Sequence, residues 1–263
     1  MGEIVVRRAG NGPRRAFFAH CSLSSGKSLM PLMGHFEDEM TMAAIDLPGQ
    51  GKSAMPDMDR DYHAQCVAAC LAEVEASGGP QDLIGHSFGA TVVLALAVQR
   101  PDLVRSVVLF EPVYFGLLND AGHNGFDASQ AQERPFNDAI QRGDMLGAAA
   151  DFLTRWGLPG EWDAMPDVAR EVMASRMWVI PAQAPGMIDD GPMRMRLDVL
   201  TTLECPTLVM RGANSPPIME ALINVICATM PNAQGQILDG AGHMLPITHH
   251  GECAARLRVF WGL

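Results

Sequence analysis

Residues 81–100, QDLIGHSFGATVVLALAVQR, permit few folds. A short apolar run at Leu83 and Ile84 passes through Gly85-His86-Ser87-Phe88-Gly89 straight into a long apolar helical pattern. A strand that becomes a helix within so few residues forces the residue between them into a cramped backbone conformation. Glycines two positions before and two after it remove the Cβ atoms that would collide. In this strand–turn–helix setting G-x-S-x-G raises a serine hydroxyl above the sheet edge, where it can serve as a nucleophile. The pentapeptide alone is weak, because Gly and Ser are common, and the competing reading is an ordinary tight turn between strand and helix.

The alternation of strand and helix extends to both sides. Residues 3–8 and 15–19 read as strands joined by the turn Gly10-Asn11-Gly12-Pro13. Residues 42–45, 106–110, 207–210 and 236–238 read as further strands, and 62–76, 218–229 and 250–261 as helices. In the first of these helices Cys66, Val67, Cys70, Leu71 and Val74 form one apolar stripe. Continuously apolar strands suit a parallel sheet covered on both faces. From Tyr114 the rhythm lapses into helical patterns, one of them carrying Met145, Leu146, Ala149, Phe152, Leu153 and Trp156, and it resumes after Leu203. Residues 1–113 and 204–263 are therefore expected to form an α/β core, and 114–203 a helical insertion.

Composition narrows the function classes. The chain is 48% hydrophobic and 19% charged, ample for a core, and its net charge of −11 argues against nucleic-acid or anionic-membrane partners. The first residues lack a signal-peptide apolar stretch, Val6 stands where a myristoylation signal needs Ser or Thr, and no run approaches membrane-spanning length. The six cysteines lack metal-site spacing and read as reduced thiols, so a cytoplasmic location is expected. Asp57, Asp59 and Asp61 are spaced like a calcium loop, but Tyr62 and Ala68 occupy its glycine and closing-glutamate positions. No phosphate-binding glycine pattern is present, and no cofactor, no metal and a small-molecule substrate are expected. Oligomeric state is open.

Four stretches, AHCSLSSG, IDLPGQGKS, GHSFGATVVLALA and GAGHMLPITH, in this order and across nearly the whole chain, resemble the α/β-hydrolase superfamily. The resemblance implies a mostly parallel eight-stranded α/β-hydrolase sheet flanked by helices, with a helical cap inserted after the sixth strand. It also implies the chain order serine, acid, histidine. Ser87 then stands as nucleophile and His243 as its base, on a loop of small residues after the last strand. The remaining histidines fit less well: His86 packs beside the elbow, His249 and His250 start a surface helix, His35 adjoins an acidic run, and His63 and His123 lie outside any motif. The oxyanion hole falls to the amides of Phe88 and Ser22. Cys21 replaces the family's usual glycine, which leaves the conformation of that loop open, and as a nucleophile it would have no base of its own.

The acid departs from the pattern. The common site after the seventh strand of the family reads Arg211-Gly212-Ala213-Asn214-Ser215-Pro216-Pro217, without a carboxylate before Glu220. Some branches place the acid after the sixth strand, which here ends Phe110-Glu111-Pro112. Glu111 at the C-terminal end of a buried strand faces the edge where such sheets bind ligands, and a protonated His243 would compensate its charge. Three alternatives stay open: Glu111 bonding only to loop amides, Asn214 orienting His243 without charge, and Asp239.

The expected chemistry is hydrolysis of a small, largely apolar carboxylic ester or related acyl compound through an acyl-enzyme. A carbon–carbon hydrolase of ring-cleavage diketones would use the same three residue types and would want Arg155, Arg176, Arg194 or Arg196 for a substrate carboxylate. A non-catalytic ligand-binding protein that kept the fold is the third reading. The methionines of the insertion (Met145, Met165, Met173, Met177, Met187, Met193, Met195) either line an adaptable pocket or pack its helices together.

Overall fold

A computed structural model describes residues 2–188 and 194–263; Met193 lies outside the described residues. Seven strands form one sheet in the order β1-β3-β2-β4-β5-β6-β7. They are β1 (Val6–Ala9), β2 (Arg14–Ala19), β3 (Met40–Ile45), β4 (Gln81–His86), β5 (Val104–Phe110), β6 (Thr207–Gly212) and β7 (Ala233–Leu238). Only β1 runs antiparallel, paired to β3; every other neighbouring pair is parallel. The expected eighth strand is absent among the described residues. The chain before β1 is occupied elsewhere: Ala54 N donates to Glu3 O, and Val5 N to Ser53 Oγ, so this segment braces the loop after β3 instead of extending the sheet edge.

Successive side chains on a strand point to opposite faces, and the sequence is apolar at both. Phe17, Leu83, Val107 and Val209 face one core. Phe18, Ile84, Val108 and Leu208 face the other. All six residues of β4 and of β6 are buried, whereas β7 at the edge is mostly open.

The longer helices are α1 (Tyr62–Ser77), α2 (Phe88–Gln99), α3 (Gly125–Gln132), α4 (Arg134–Gln141), α5 (Met145–Trp156), α6 (Asp167–Ser175), α7 (Val179–Met187), α8 (Pro217–Thr229) and α9 (His250–Trp261). Helix α1 starts on Asp61, whose carboxylate caps the Ala64 amide at 2.6 Å, and stops at Gly78 with φ of 70°. It packs against α2 and α7 in the first core, burying Cys66, Val67, Cys70 and Val74, while Leu71 is half-buried. Helix α9 contributes Cys253, Leu257 and Trp261 to the second. Helices α3 to α7 lie between β5 and β6 and hold a small core of their own, in which Phe136, Ala148, Ala149 and Met177 pack together. That settles Met177 as packing, whereas Met187 and Met173 line cavities next to Ser87.

Candidate active site

The turn from β4 into α2 is as tight as the two glycines suggest. A Cβ on Gly85 would lie 2.4 Å from Ala90 Cα, and one on Gly89 would lie 2.3 Å from Ala19 O. Ser87, between them, has φ of 53°, a region that non-glycine residues rarely occupy. Its amide donates to Phe110 O on the neighbouring strand at 2.8 Å, which fixes the turn to the sheet. The hydroxyl lies 3.0 Å from His243 Nε2, and His243 Nδ1 lies 3.1 Å from Glu111 Oε2. Beside a carboxylate, Nδ1 is the donor, which leaves Nε2 as acceptor for the serine proton.

Glu111 follows β5 and also has positive φ, 52°. It is fully buried. Its Oε1 accepts from Gly212 N at 2.7 Å and from the Ser215 hydroxyl, so one carboxylate oxygen holds the loop after β6 while the other holds the imidazole. Glu111 therefore does not bond only to loop amides: its second oxygen lies against His243 Nδ1. Asn214 is exposed and turns its side-chain amide to Gly240 O at 3.1 Å, away from His243, and Asp239 is exposed as well. Gly212 permits the close approach of the two loops, because a Cβ there would meet Ala241 O at 2.3 Å.

The loop after β2 carries Ser22. Cys21 does not have the left-handed backbone that would demand glycine; Leu23, two residues on, does, with φ of 60°. His20 anchors the loop: its Nδ1 donates to Cys21 O at 2.6 Å and its Nε2 accepts from Leu47 N at 3.0 Å. Burial holds this imidazole down to about 4, so it stays neutral, as one donating and one accepting nitrogen require. Burial also pushes the Cys21 thiol up to about 12, which keeps it from being a thiolate. Neither the Ser22 nor the Phe88 amide donates to another described residue.

Two cavities meet at Ser87, Ser22 and His243, one of about 130 Å³ and one of about 170 Å³. The first is walled mainly by Val113, Phe115, Phe126, Phe136, Ile180 and Ile188. Phe152 and Trp156 of α5 line both, and the Trp156 ring meets the His243 ring edge-on at 4.7 Å between centroids. None of the four arginines considered for a substrate carboxylate lines either cavity. Arg155 pairs with Glu133 at 2.6 Å, Arg194 with Asp120 and Arg196 with Asp198, and Arg176 is exposed.

Several neighbours were not singled out as site residues in the sequence. Gly212 N and the Ser215 hydroxyl act on Glu111 from another strand's loop, and no local signal marks them. The sequence position of His86 puts it beside the elbow, but its hydrogen bond from Nε2 to His243 O, 2.8 Å, depends on the fold. Among the described residues no group of three His, Cys, Asp or Glu side chains is placed to hold a metal ion, and no helix is long and apolar enough to cross a membrane.

A chain with this sheet, a serine at a strained strand-to-helix turn and a histidine between that serine and a buried carboxylate can be compared with known proteins. Residues 16–256 match the alpha/beta hydrolase family, and the chain belongs to it. It is 28% identical over 263 residues to the lipase LipV of Mycobacterium tuberculosis, covering 97% of each chain. It is 25% identical to the 2-(acetamidomethylene)succinate hydrolase of Mesorhizobium japonicum, over 92% of this chain and 86% of that one. A crystal structure of an alpha/beta hydrolase enzyme from a Medee basin deep-sea metagenome library superposes with a TM-score of 0.77 over 100% of this chain and 95% of the other, at 15% identity, a likeness of fold.

Proposed function

We propose that this chain is a serine hydrolase of small, largely apolar carboxylic esters or related acyl compounds, working through an acyl-enzyme without a cofactor. The observation that carries this reading is the unbroken line from Glu111 through His243 to Ser87 at the floor of an apolar cavity. Ser87 Oγ attacks the carbonyl carbon while its proton passes to His243 Nε2. The Glu111 carboxylate, accepting from Nδ1, stabilises the imidazolium that forms. The Ser22 and Phe88 amides receive the oxyanion. His243 returns the proton to the leaving alkoxide and the alcohol departs. Water then gives a proton to His243 and attacks the acyl-serine; the acid leaves and Ser87 recovers its proton.

The helical block from Gly116 to Leu200 serves in this reading as the cap, since its side chains supply most of the first cavity's wall. The carbon–carbon hydrolase reading draws less support, because the arginines it needs are paired or exposed away from the cavities. The reading of a non-catalytic binder is opposed by the 3.0 Å contact of Ser87 with its base. A small molecule is the proposed partner, and the six free cysteines support a reducing, cytoplasmic location.

The test is Ser87→Ala assayed on short nitrophenyl esters. Activity falls by roughly 10³ or more, as in dissections of comparable triads. Equal turnover by the variant and the parent rejects the reading. A fluorophosphonate probe should label the parent at Ser87; a protein left unlabelled would be the binder.

A further inference from the structure

Gln183 lies on α7 and is 1% exposed. Its Oε1 accepts from the Ser22 hydroxyl at 2.7 Å, which fixes the side chain. Its Nε2 is buried and has no hydrogen-bond partner among the described residues. The residue lines the same cavity as Ser22 and Ser87, and its own helix presents only apolar neighbours there, Ile180, Ala184 and Met187. A donor is thus held in place, without a partner among the described residues, in the wall of the cavity that Ser87 also lines.

We infer that Gln183 is a specificity-determining residue whose amide nitrogen donates to a second, neutral acceptor oxygen of the substrate, an ether, ketone or ester oxygen a few bonds from the scissile carbonyl. Proximity follows from Ser22: its amide is assigned to the carbonyl oxygen, and its hydroxyl touches Gln183. A purely hydrocarbon chain filling the cavity would displace solvent and leave the buried N–H groups unpaired, which a matching oxygen avoids. The acceptor is neutral because, among the described residues, no Lys or Arg side chain lines this cavity to receive an anionic one, and Glu133, which does line it, is already paired with Arg155. This inference rests on the ester-hydrolase reading.

Three esters of nearly equal shape test it: butyl butyrate, butyl methoxyacetate and 2-methoxyethyl butyrate, which place an ether oxygen nowhere, in the acyl chain, or in the alcohol. Acid release is followed for the parent, Gln183→Met and Gln183→Glu. The parent's preference for one ether ester over butyl butyrate, as a ratio of kcat/KM, falls about tenfold in both variants. Taking the ratio within each protein cancels the intrinsic reactivity of the esters and any partial loss of fold. Gln183→Glu keeps the length of the side chain and the acceptor for Ser22 while removing the donor. Unchanged ratios for both ether esters overturn the inference and leave the ester-hydrolase reading intact. No turnover of any of the three by the parent defeats both.

Discussion

His86 Nε2 donates to the carbonyl oxygen of His243 over 2.8 Å, so the residue preceding the proposed nucleophile grips the backbone of its proposed base. Burial, with the neighbouring His243 charge next, brings the His86 imidazole down to about 3. It therefore remains a neutral donor throughout the proposed proton transfers at His243. The two partners are 157 residues apart in sequence. The contact makes the elbow itself a ruler for the histidine loop.

Removing that grip should loosen His243 without removing it. His86→Ala is expected to lower kcat by about 10- to 100-fold, since small displacements of a catalytic group have costs of that order, with KM changed far less. His86→Gln, which still offers an N–H, should recover part of the loss. Steady-state kinetics of both variants check this. Equal kinetics for His86→Ala and the parent would show that the contact has no positioning role.

The contact of Glu111 Oε2 with His243 Nδ1 carries a second prediction. Glu111→Gln keeps the shape and removes the charge, and kcat should fall by about 10³ or more, by analogy with removal of the triad carboxylate elsewhere. Asn214→Ala, which loses only the bond to Gly240 O, should fall much less. Kinetics on the folded variants, with the fold checked by circular dichroism, decide it. The reverse ranking would transfer the orienting role to Asn214.

These two cases show where sequence reading stops. The elbow was legible because its constraints are local: Gly85 and Gly89 are needed by atoms of Ala90 and of the adjacent strand, and the pattern of strand and helix announces both. His243 was proposed from the chain order that the resemblance implies, with its small flanking residues in support. Glu111 was half legible, because its partners Gly212 and Ser215 come from another strand that the sheet order sets beside it. What Cys21 does to its loop is not legible, because a sequence does not display φ; the positive angle lies at Leu23 and not at Cys21. The pairing of Arg155 with Glu133 is not legible either, because it depends on how α5 meets a residue 22 positions earlier. The eighth strand was carried over from the resemblance, and here residues 2–5 brace a loop instead.

Cys21 offers a check on the loop proposed to hold the oxyanion. A thiol held near 12 by burial is about 10⁻⁴ ionised at pH 8, and the thiolate is the reactive form. Under native conditions iodoacetamide should therefore modify the half-buried Cys205 and Cys227 well before Cys21. Peptide mapping by mass spectrometry reads the order. Early modification of Cys21 would show the loop to be open to solvent.

Acid sensitivity should come from buried neutral histidines. His20 and His63 are brought down to about 4 and His86 to about 3, with burial the leading cause in each. In the unfolded chain the same imidazoles titrate near 6.5. The folded values are lower, so between pH 6.5 and about 4 the unfolded state binds more protons. Stability is full above that window and is lost as pH falls through it. Each histidine contributes a slope of about 1.4 kcal/mol per pH unit there. Urea unfolding between pH 7.5 and 5 should show the loss. His63 is the informative position, because it lies under α7, donating from Nε2 to Thr91 Oγ1 at 3.0 Å, and takes no part in the proposed chemistry. His63→Gln retains a donor and removes one titrating group, so its stability should decline with a slope shallower by about one proton. If the slope is the same in parent and variant, His63 is not held neutral by burial.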